Sequence, residues 1–142
     1  MLLGEYDHTL DDKNRLTLPA KLREELGEEV VVTRGLDGCL FLYSKAAFTA
    51  LAERVGTLDP FNADARTMQR YFFTGSPPLE LDRQGRMVIP ANLLERAGIG
   101  REVTVAGVYE HREIWDRAAW REQLTHAEGS AEDVAERLAN RD

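Results

Sequence analysis

The 142-residue sequence has few of the residues from which metal centres and catalytic sites are usually built. It contains a single cysteine, Cys39, which excludes an internal disulfide and a cysteine metal cluster. Three histidines, at positions 8, 111 and 126, are scattered without the spacing of a metal-binding motif. There is no glycine-rich phosphate loop. We therefore predict no catalytic activity, no metal, no cofactor and no small-molecule substrate.

Long apolar runs and positive net charge are also lacking. No stretch approaches the roughly 18 apolar residues that a membrane-spanning helix needs, and the first residues do not resemble a signal peptide. We expect a location in the cytoplasm and no association with membranes. Eighteen Lys and Arg against 25 Asp and Glu give a net charge of −7. Any binding to nucleic acid must therefore depend on a local cluster of cations.

What the sequence does contain is an internal repeat, found by comparing it with itself at an offset of about 71 residues. Residues 10–22 (LDDKNRLTLPAKL) align with residues 81–93 (LDRQGRMVIPANL), and the similarity extends to residues 43–48 and 115–120. A unit of about 45 residues buries too little apolar surface to be stable alone. We therefore expect two copies to complete one small interleaved β-barrel around a pseudo-twofold axis.

Each repeat predicts the same order of short elements. A strand leads through a turn into a second strand, and Pro19 or Pro90 then marks the start of a short helix. A β-hairpin follows, and Ser44 or Asp116 caps a second helix. Between the repeats, Asn62 begins a linking helix. Near the C-terminus the capping-box spacing at residues 130–133 predicts a surface helix or a frayed tail.

The turn between the first two strands of each repeat carries a local excess of positive charge. Four cations at positions 13, 15, 21 and 23 outnumber two aspartates in the first repeat, and three arginines outnumber two acids in the second. An arginine on a hairpin rim can donate to guanine O6 and N7, and a lysine can contact a phosphate. Surface cations paired with neighbouring aspartates often have no function at all. Composition alone leaves both interpretations open.

These two turns resemble the signature stretches of the MraZ family of bacterial transcriptional regulators. The resemblance rests on residues 12–23 (DKNRLTLPAKLR) and 82–90 (DRQGRMVIP) and extends over residues 1–126. It implies an α+β fold, a pseudo-twofold interleaved double-split β-barrel with flanking helices. The implied domains are a first SpoVT-AbrB swapped-hairpin motif at 5–48, linking helices at 49–75, a second motif at 76–120, and a C-terminal helix or tail at 121–142.

The resemblance also implies a function. It is sequence-specific binding to double-stranded DNA, as a repressor, at short direct repeats upstream of the division and cell-wall gene cluster. The active form would be a ring-shaped homo-oligomer associated with the nucleoid. Arg15 and Arg86 would face the bases, Lys13 would contact the DNA backbone, and Arg23 would serve only one repeat. The expected DNA-binding set comprises Lys13, Asn14, Arg15, Arg23, Arg83, Gly85 and Arg86.

One position departs from the family pattern. The first turn of the family normally reads Asp-x-Lys-Gly-Arg, and Asn14 stands here in place of the glycine. Because asparagine tolerates left-handed backbone better than other side chains, we expect the turn to form. The added amide could hold DNA further away or contribute a contact to a base. The second turn retains Gly85.

Other classes of function remain compatible with these residues. The acidic net charge and the aromatic residues 71–73 are also consistent with an AbrB-like oligomeric interaction protein whose rims bind acidic protein partners. An antitoxin is a variant of this hypothesis, with Val134 and Leu138 on a toxin-binding helix, although antitoxins of this type usually carry one motif per chain. An enzyme is disfavoured, because Ser44 is better explained as a helix cap than as a nucleophile.

Overall fold

The computed structural model describes residues 1–141, and these form eight strands and five helices. The first repeat comprises β1 (Glu5–Thr9), β2 (Arg15–Thr17), α1 (Ala20–Leu26), β3 (Glu29–Arg34), β4 (Leu40–Ser44) and α2 (Lys45–Gly56). The linking helix is α3 (Ala63–Thr74). The second repeat comprises β5 (Pro78–Glu80), β6 (Arg86–Val88), α4 (Ala91–Arg96), β7 (Glu102–Val108), β8 (His111–Asp116) and α5 (Arg117–Ala139). The predicted α+β class is confirmed.

The two repeats exchange strands. One sheet has the order β1-β7-β8-β4-β3-β5, and a second sheet consists of β2 and β6. The first strand of each repeat pairs with the third strand of the other, as β1 with β7 and β5 with β3. Strands β2 and β6, and strands β4 and β8, pair across the repeats. The strand order is therefore unchanged when the repeats are interchanged, and neither repeat has a complete sheet of its own.

The main core lies where the second strands of the two repeats meet. Leu16 and Met87 are opposite each other in the β2–β6 ladder, and no more than 1% of either residue is exposed. Leu18 and Ile89 are buried to the same degree just after these strands. Burial of each such side chain contributes about 1.5–3 kcal/mol. These contacts fix the ladder in place and leave its other face to solvent.

A second apolar cluster lies under the helices on the outer face of the larger sheet. It joins Phe41 and Tyr43 of β4 to Phe72 of α3 and Trp115 of β8. Among the consecutive aromatic residues of α3, Phe72 is buried whereas Phe73 is 42% exposed. One of these neighbouring rings is therefore in the core while the next faces solvent.

Helix starts follow the predicted caps, with one difference at the C-terminus. The Ser44 hydroxyl accepts a hydrogen bond from the Ala47 N–H at 3.1 Å, and the Asn62 side chain caps α3. Helix α5 runs unbroken through Ser130, whose hydroxyl donates to the His126 carbonyl within the helix at 2.8 Å. No helix begins at Ser130, so the predicted capping box does not form, whereas residues 130–139 do belong to a surface helix as predicted. No helix in residues 1–141 is both long and apolar enough to cross a membrane.

Candidate nucleic-acid interface

The turn that leads into β2 is closed by one carboxylate. Oδ1 of Asp11 accepts the backbone N–H groups of Lys13 and Arg15, each at 2.9 Å. The Asn14 N–H donates to the Asp11 carbonyl at 3.1 Å, and Asn14 itself has a φ of 58°. Asparagine and aspartate form turns of this kind because their side chains satisfy nearby N–H groups and because asparagine enters the left-handed region at low cost.

The turn that leads into β6 repeats this arrangement. Oδ1 of Asp82 accepts the N–H groups of Gln84 and Arg86 at 2.8 and 2.9 Å. The Gly85 N–H donates to the Asp82 carbonyl at 3.0 Å, and Gly85 has a φ of 75°. The two turns therefore have the same backbone, although one carries asparagine and the other glycine at the left-handed position.

The arginine after each turn is tied to the same aspartate. Nε of Arg15 donates to Oδ2 of Asp11 at 2.6 Å, and Nε of Arg86 donates to Oδ2 of Asp82 at 2.8 Å. The two arginine side chains are 24% and 28% exposed. Surface arginines without a function would also form such ion pairs with neighbouring aspartates. They occupy only Nε, and within residues 1–141 neither arginine uses its terminal nitrogens in a hydrogen bond to the protein.

The two carboxylates are held in the charged form. The N–H group of Arg15 lowers the pKa of Asp11 to about 2, with further contributions from the Arg15 side chain and the Lys13 N–H. The N–H group of Arg86 likewise lowers the pKa of Asp82. Both ion pairs therefore persist at neutral pH, and each fixes the direction of a guanidinium group.

Arg15 and Arg86 lie on the same face of the β2–β6 ladder. Arg15 is opposite Val88, and Arg86 is opposite Thr17. Because side chains alternate along a strand, these four residues share the face that points away from the core, and Val88 is 55% exposed there. The two arginines are diagonal neighbours, for which the expected separation is about 7–8 Å.

The exposed ends of the turns extend this face in both directions. Because β2 and β6 are antiparallel, the two turns lie at opposite ends of the ladder. Lys13 is exposed in the first turn and Arg83 in the second. The predicted site residues at the surface thus form one strip across a single chain, which we call the arginine face: Lys13, Asn14, Arg15, Arg83 and Arg86. Gly85 is buried beneath this face.

Arg23 extends the arginine face at one end only. It belongs to α1 of the first repeat, but its side chain lies over the turn of the second. A β-carbon added to Gly85 would lie 2.6 Å from both Cδ and Nε of Arg23. The equivalent position in α4 is Leu94, which is only 5% exposed. Sequence reasoning did not find this contact, because it depends on the exchange of strands between repeats.

The anchoring roles of Asp11 and Asp82 were also missing from the predicted set. Their signal was present in the sequence, because each lies four residues before the arginine that it holds. Away from the arginine face, residues 1–141 contain no group of three or more His, Cys, Asp or Glu placed to hold a metal ion. Cys39 is buried, with 4% of its surface exposed.

Comparison with known proteins identifies the family. The family model described as "MraZ protein, putative antitoxin-like" matches the chain twice, at residues 1–71 and 72–142. Proteins named "Transcriptional regulator MraZ" from Syntrophomonas wolfei, Heliobacterium modesticaldum and Moorella thermoacetica are 46%, 46% and 44% identical to it. These alignments cover 99–100% of this chain and 98–99% of each relative. The chain therefore belongs to the MraZ family.

Proposed function

We propose that this protein is a transcriptional regulator that binds double-stranded DNA through the arginine face. The observation that carries the proposal is the common orientation of Arg15 and Arg86, each tied by Nε to an aspartate. The names of its relatives support the same class of function. No catalytic step is part of this proposal.

The chemistry of the two guanidinium groups suits recognition of guanine. Two adjacent donors on one arginine can bond to O6 and N7 in the major groove, and each good pair contributes about 1–3 kcal/mol of discrimination. Nε of Arg15 and of Arg86 is engaged by aspartate, so the two terminal nitrogens supply these donors. Because the ion pair already restricts the side chain, less conformational entropy is lost on binding.

The other members of the set contact the DNA backbone. Lys13 and Arg83 are exposed at the two turns and can meet phosphates as positive charges. Arg23 contributes a further cation beside the second turn. Gly85 was also in the predicted DNA-binding set, but it is buried beneath the Arg23 side chain, so its role is to make room for that side chain and not to face the duplex. Phosphate contacts supply affinity for any sequence, while the two base-reading arginines supply selectivity.

The contacts of one chain are too few to select an operator, which supports a multivalent assembly. We propose a ring-shaped homo-oligomer that binds direct repeats spaced by about one helical turn, roughly 34 Å, and gains affinity through effective concentration. Apolar side chains are available for contacts between copies: Phe61 is 92% exposed, and Leu3 is 63% exposed. A regulator bound upstream of its target genes would repress them by blocking polymerase, at the nucleoid in the cytoplasm.

The exchanged strands also support the fold that the resemblance implies. The pairing of β1 with β7 and of β5 with β3 is what two swapped hairpins would produce in a double-split barrel. In such a barrel the β2–β6 ladder is held by both repeats, so the two base-reading arginines keep a fixed separation. We propose this geometry as the reason for carrying both motifs in one chain.

Selection from a library of randomised DNA duplexes tests the proposed function. The unaltered protein should enrich sequences that contain guanine at regular spacing. Arg15→Ala should lose this enrichment, whereas Lys13→Ala should weaken binding to selected and random duplexes alike. Arg137→Ala, on the distant part of α5, is the matched control and should behave like the unaltered protein. Unchanged selectivity of Arg15→Ala would contradict the proposal.

A further inference from the structure

The two turns of the arginine face share a backbone but differ in the group that lies over it. Asn14 and Gly85 occupy equivalent positions, with φ values of 58° and 75°. Each donates its N–H to the carbonyl of the aspartate three residues earlier. Because the backbones match, the direction in which a β-carbon leaves the chain is also the same in both turns.

In the second turn, a β-carbon in this direction would meet the side chain of Arg23, which belongs to the first repeat. The space that a β-carbon on Gly85 would enter is filled by Cδ, Nε and Cζ of Arg23, at 2.6 to 2.9 Å. Arginine carries only hydrogen-bond donors. At this place, one residue before Arg86 in the chain, the second turn therefore has the guanidinium group of Arg23.

In the first turn, the chain supplies a different group at the same place. The counterpart of Arg23 is Leu94, a buried core residue that cannot deliver a polar group. The first turn has its own side chain at this position, that of Asn14, which is half-buried and immediately precedes Arg15 in the chain. A carboxamide carries both a donor and an acceptor.

These two chemistries match different bases. In the major groove, adenine offers an acceptor at N7 and a donor at its N6 amino group, which a carboxamide can satisfy together. Guanine offers two acceptors, O6 and N7, which suit a guanidinium group. Consecutive residues such as Asn14 and Arg15 have Cα atoms about 3.8 Å apart, close to the rise of about 3.4 Å per base pair.

We propose that Asn14 is a specificity-determining residue that selects adenine at the base pair next to the guanine bound by Arg15. The second turn has no carboxamide at this position; its carboxamide, on the exposed Gln84, lies one residue further from Arg86. The two turns of one chain therefore recognise different base pairs, and the DNA segment bound by one chain is asymmetric. This inference rests on the proposed function, because it presupposes sequence-specific DNA binding.

A purely structural role for Asn14 makes a different prediction. Asparagine is common at positive φ, so it could be present only because it forms the turn. The variant Asn14→Gly separates the two roles, since glycine adopts this backbone at least as readily and removes only the amide. Its turn should form normally, which NMR chemical shifts of the Lys13 and Arg15 amides can verify.

The first experiment compares base preferences of the unaltered protein and Asn14→Gly by selection from randomised duplexes. The unaltered protein should prefer adenine at one position next to a selected guanine. In Asn14→Gly this preference should fall by about 5-fold to 150-fold, while the guanine preference remains. Identical preferences in the two proteins would overturn the inference. A complete lack of selectivity in the unaltered protein would instead overturn the proposed function.

The second experiment transplants the chemistry of the first turn into the second. Gly85→Asn is combined with Arg23→Leu, because an asparagine at position 85 would clash with the Arg23 side chain. The double variant should gain an adenine preference beside the base bound by Arg86, although its overall affinity will fall with the lost cation. A folded double variant with no gain of adenine preference contradicts the inference. If it does not fold, as judged by circular dichroism, the Asn14→Gly comparison decides alone.

Discussion

The side chain of Arg23 covers Gly85, although the two residues belong to different repeats. A β-carbon on Gly85 would approach Cδ and Nε of Arg23 to 2.6 Å. Gly85 also has a φ of 75°, which costs free energy for any residue with a side chain. The contact couples α1 of the first repeat to the turn that orients Arg86. It makes Gly85 sensitive to substitution for two independent physical reasons.

Substitution of Gly85 by alanine should therefore destabilise the fold and weaken DNA binding together. We expect Gly85→Ala to lower the free energy of unfolding by about 1–3 kcal/mol, measured by urea denaturation. Gly129→Ala is a matched control, because nothing lies within 4 Å of its added β-carbon in α5. That control should raise the free energy of unfolding by up to about 1 kcal/mol. Equal stability of Gly85→Ala and the unaltered protein would show that the turn is not strained.

The ion pair at the first turn should persist far into the acid range. The pKa of Asp11 is lowered to about 2 by hydrogen bonds from the Arg15 and Lys13 N–H groups and from the Arg15 side chain. A carboxyl whose pKa is depressed on folding stabilises the folded state above its unfolded pKa, near 4. This contribution is lost as the pH falls from about 4 through about 2.

An NMR titration of the Asp11 carboxyl carbon measures this directly. The midpoint should lie at about pH 2. Asp11→Asn removes the signal and, with it, the negative charge that holds Nε of Arg15, so selectivity for the chosen DNA should fall. A midpoint near the ordinary value for aspartate would mean that the hydrogen bonds of this turn do not form in solution.

Salt dependence should separate DNA binding from binding to an acidic protein partner. For DNA, the logarithm of the association constant falls linearly with the logarithm of the salt concentration, with a slope of about −0.9 per phosphate contact. Lys13→Ala should therefore reduce the magnitude of the slope by about 1 per bound chain. Lys45→Ala is a suitable control, because Lys45 is paired with Glu29 at 2.8 Å. A slope that Lys13→Ala leaves unchanged would remove Lys13 from the phosphate contacts.

The Cys39 thiol should be unreactive in the folded protein. Cys39 is 4% exposed and donates a hydrogen bond to the Leu36 carbonyl at 3.3 Å, and burial raises its pKa. Because the thiolate is the reactive form, we expect no reaction with a disulfide reagent at pH 8 until the chain is unfolded in urea. Rapid reaction of the native protein would show that the β3–β4 hairpin opens.

Several parts of the fold could be predicted from local sequence alone. The internal repeat gave the order of elements, and Ser44 and Asn62 marked helix starts because a polar cap satisfies otherwise unpaired N–H groups. Ser130 also has the spacing of a polar helix cap, but no helix begins there. Its hydroxyl donates to the preceding turn of α5 instead, an alternative that local spacing cannot distinguish.

The candidate site was predictable in composition but not in arrangement. The turn sequences identified Arg15 and Arg86, yet their position on one face follows from the pairing of β2 with β6, which no local pattern contains. The contact between Arg23 and Gly85 likewise joins residues 62 positions apart in the chain. Such relationships depend on which strands are exchanged, and exchange is a property of the assembled core.

The most direct test of the account is the replacement of Arg15 by lysine. Lysine keeps the positive charge but lacks the planar fork that bonds to two guanine acceptors. The measurement is the ratio of dissociation constants for a duplex selected by the unaltered protein and for a random duplex, by fluorescence anisotropy. We predict that Arg15→Lys binds the random duplex as the unaltered protein does and loses at least about 5-fold in preference for the selected one. Full retention of that preference by Arg15→Lys would contradict base recognition through the arginine face.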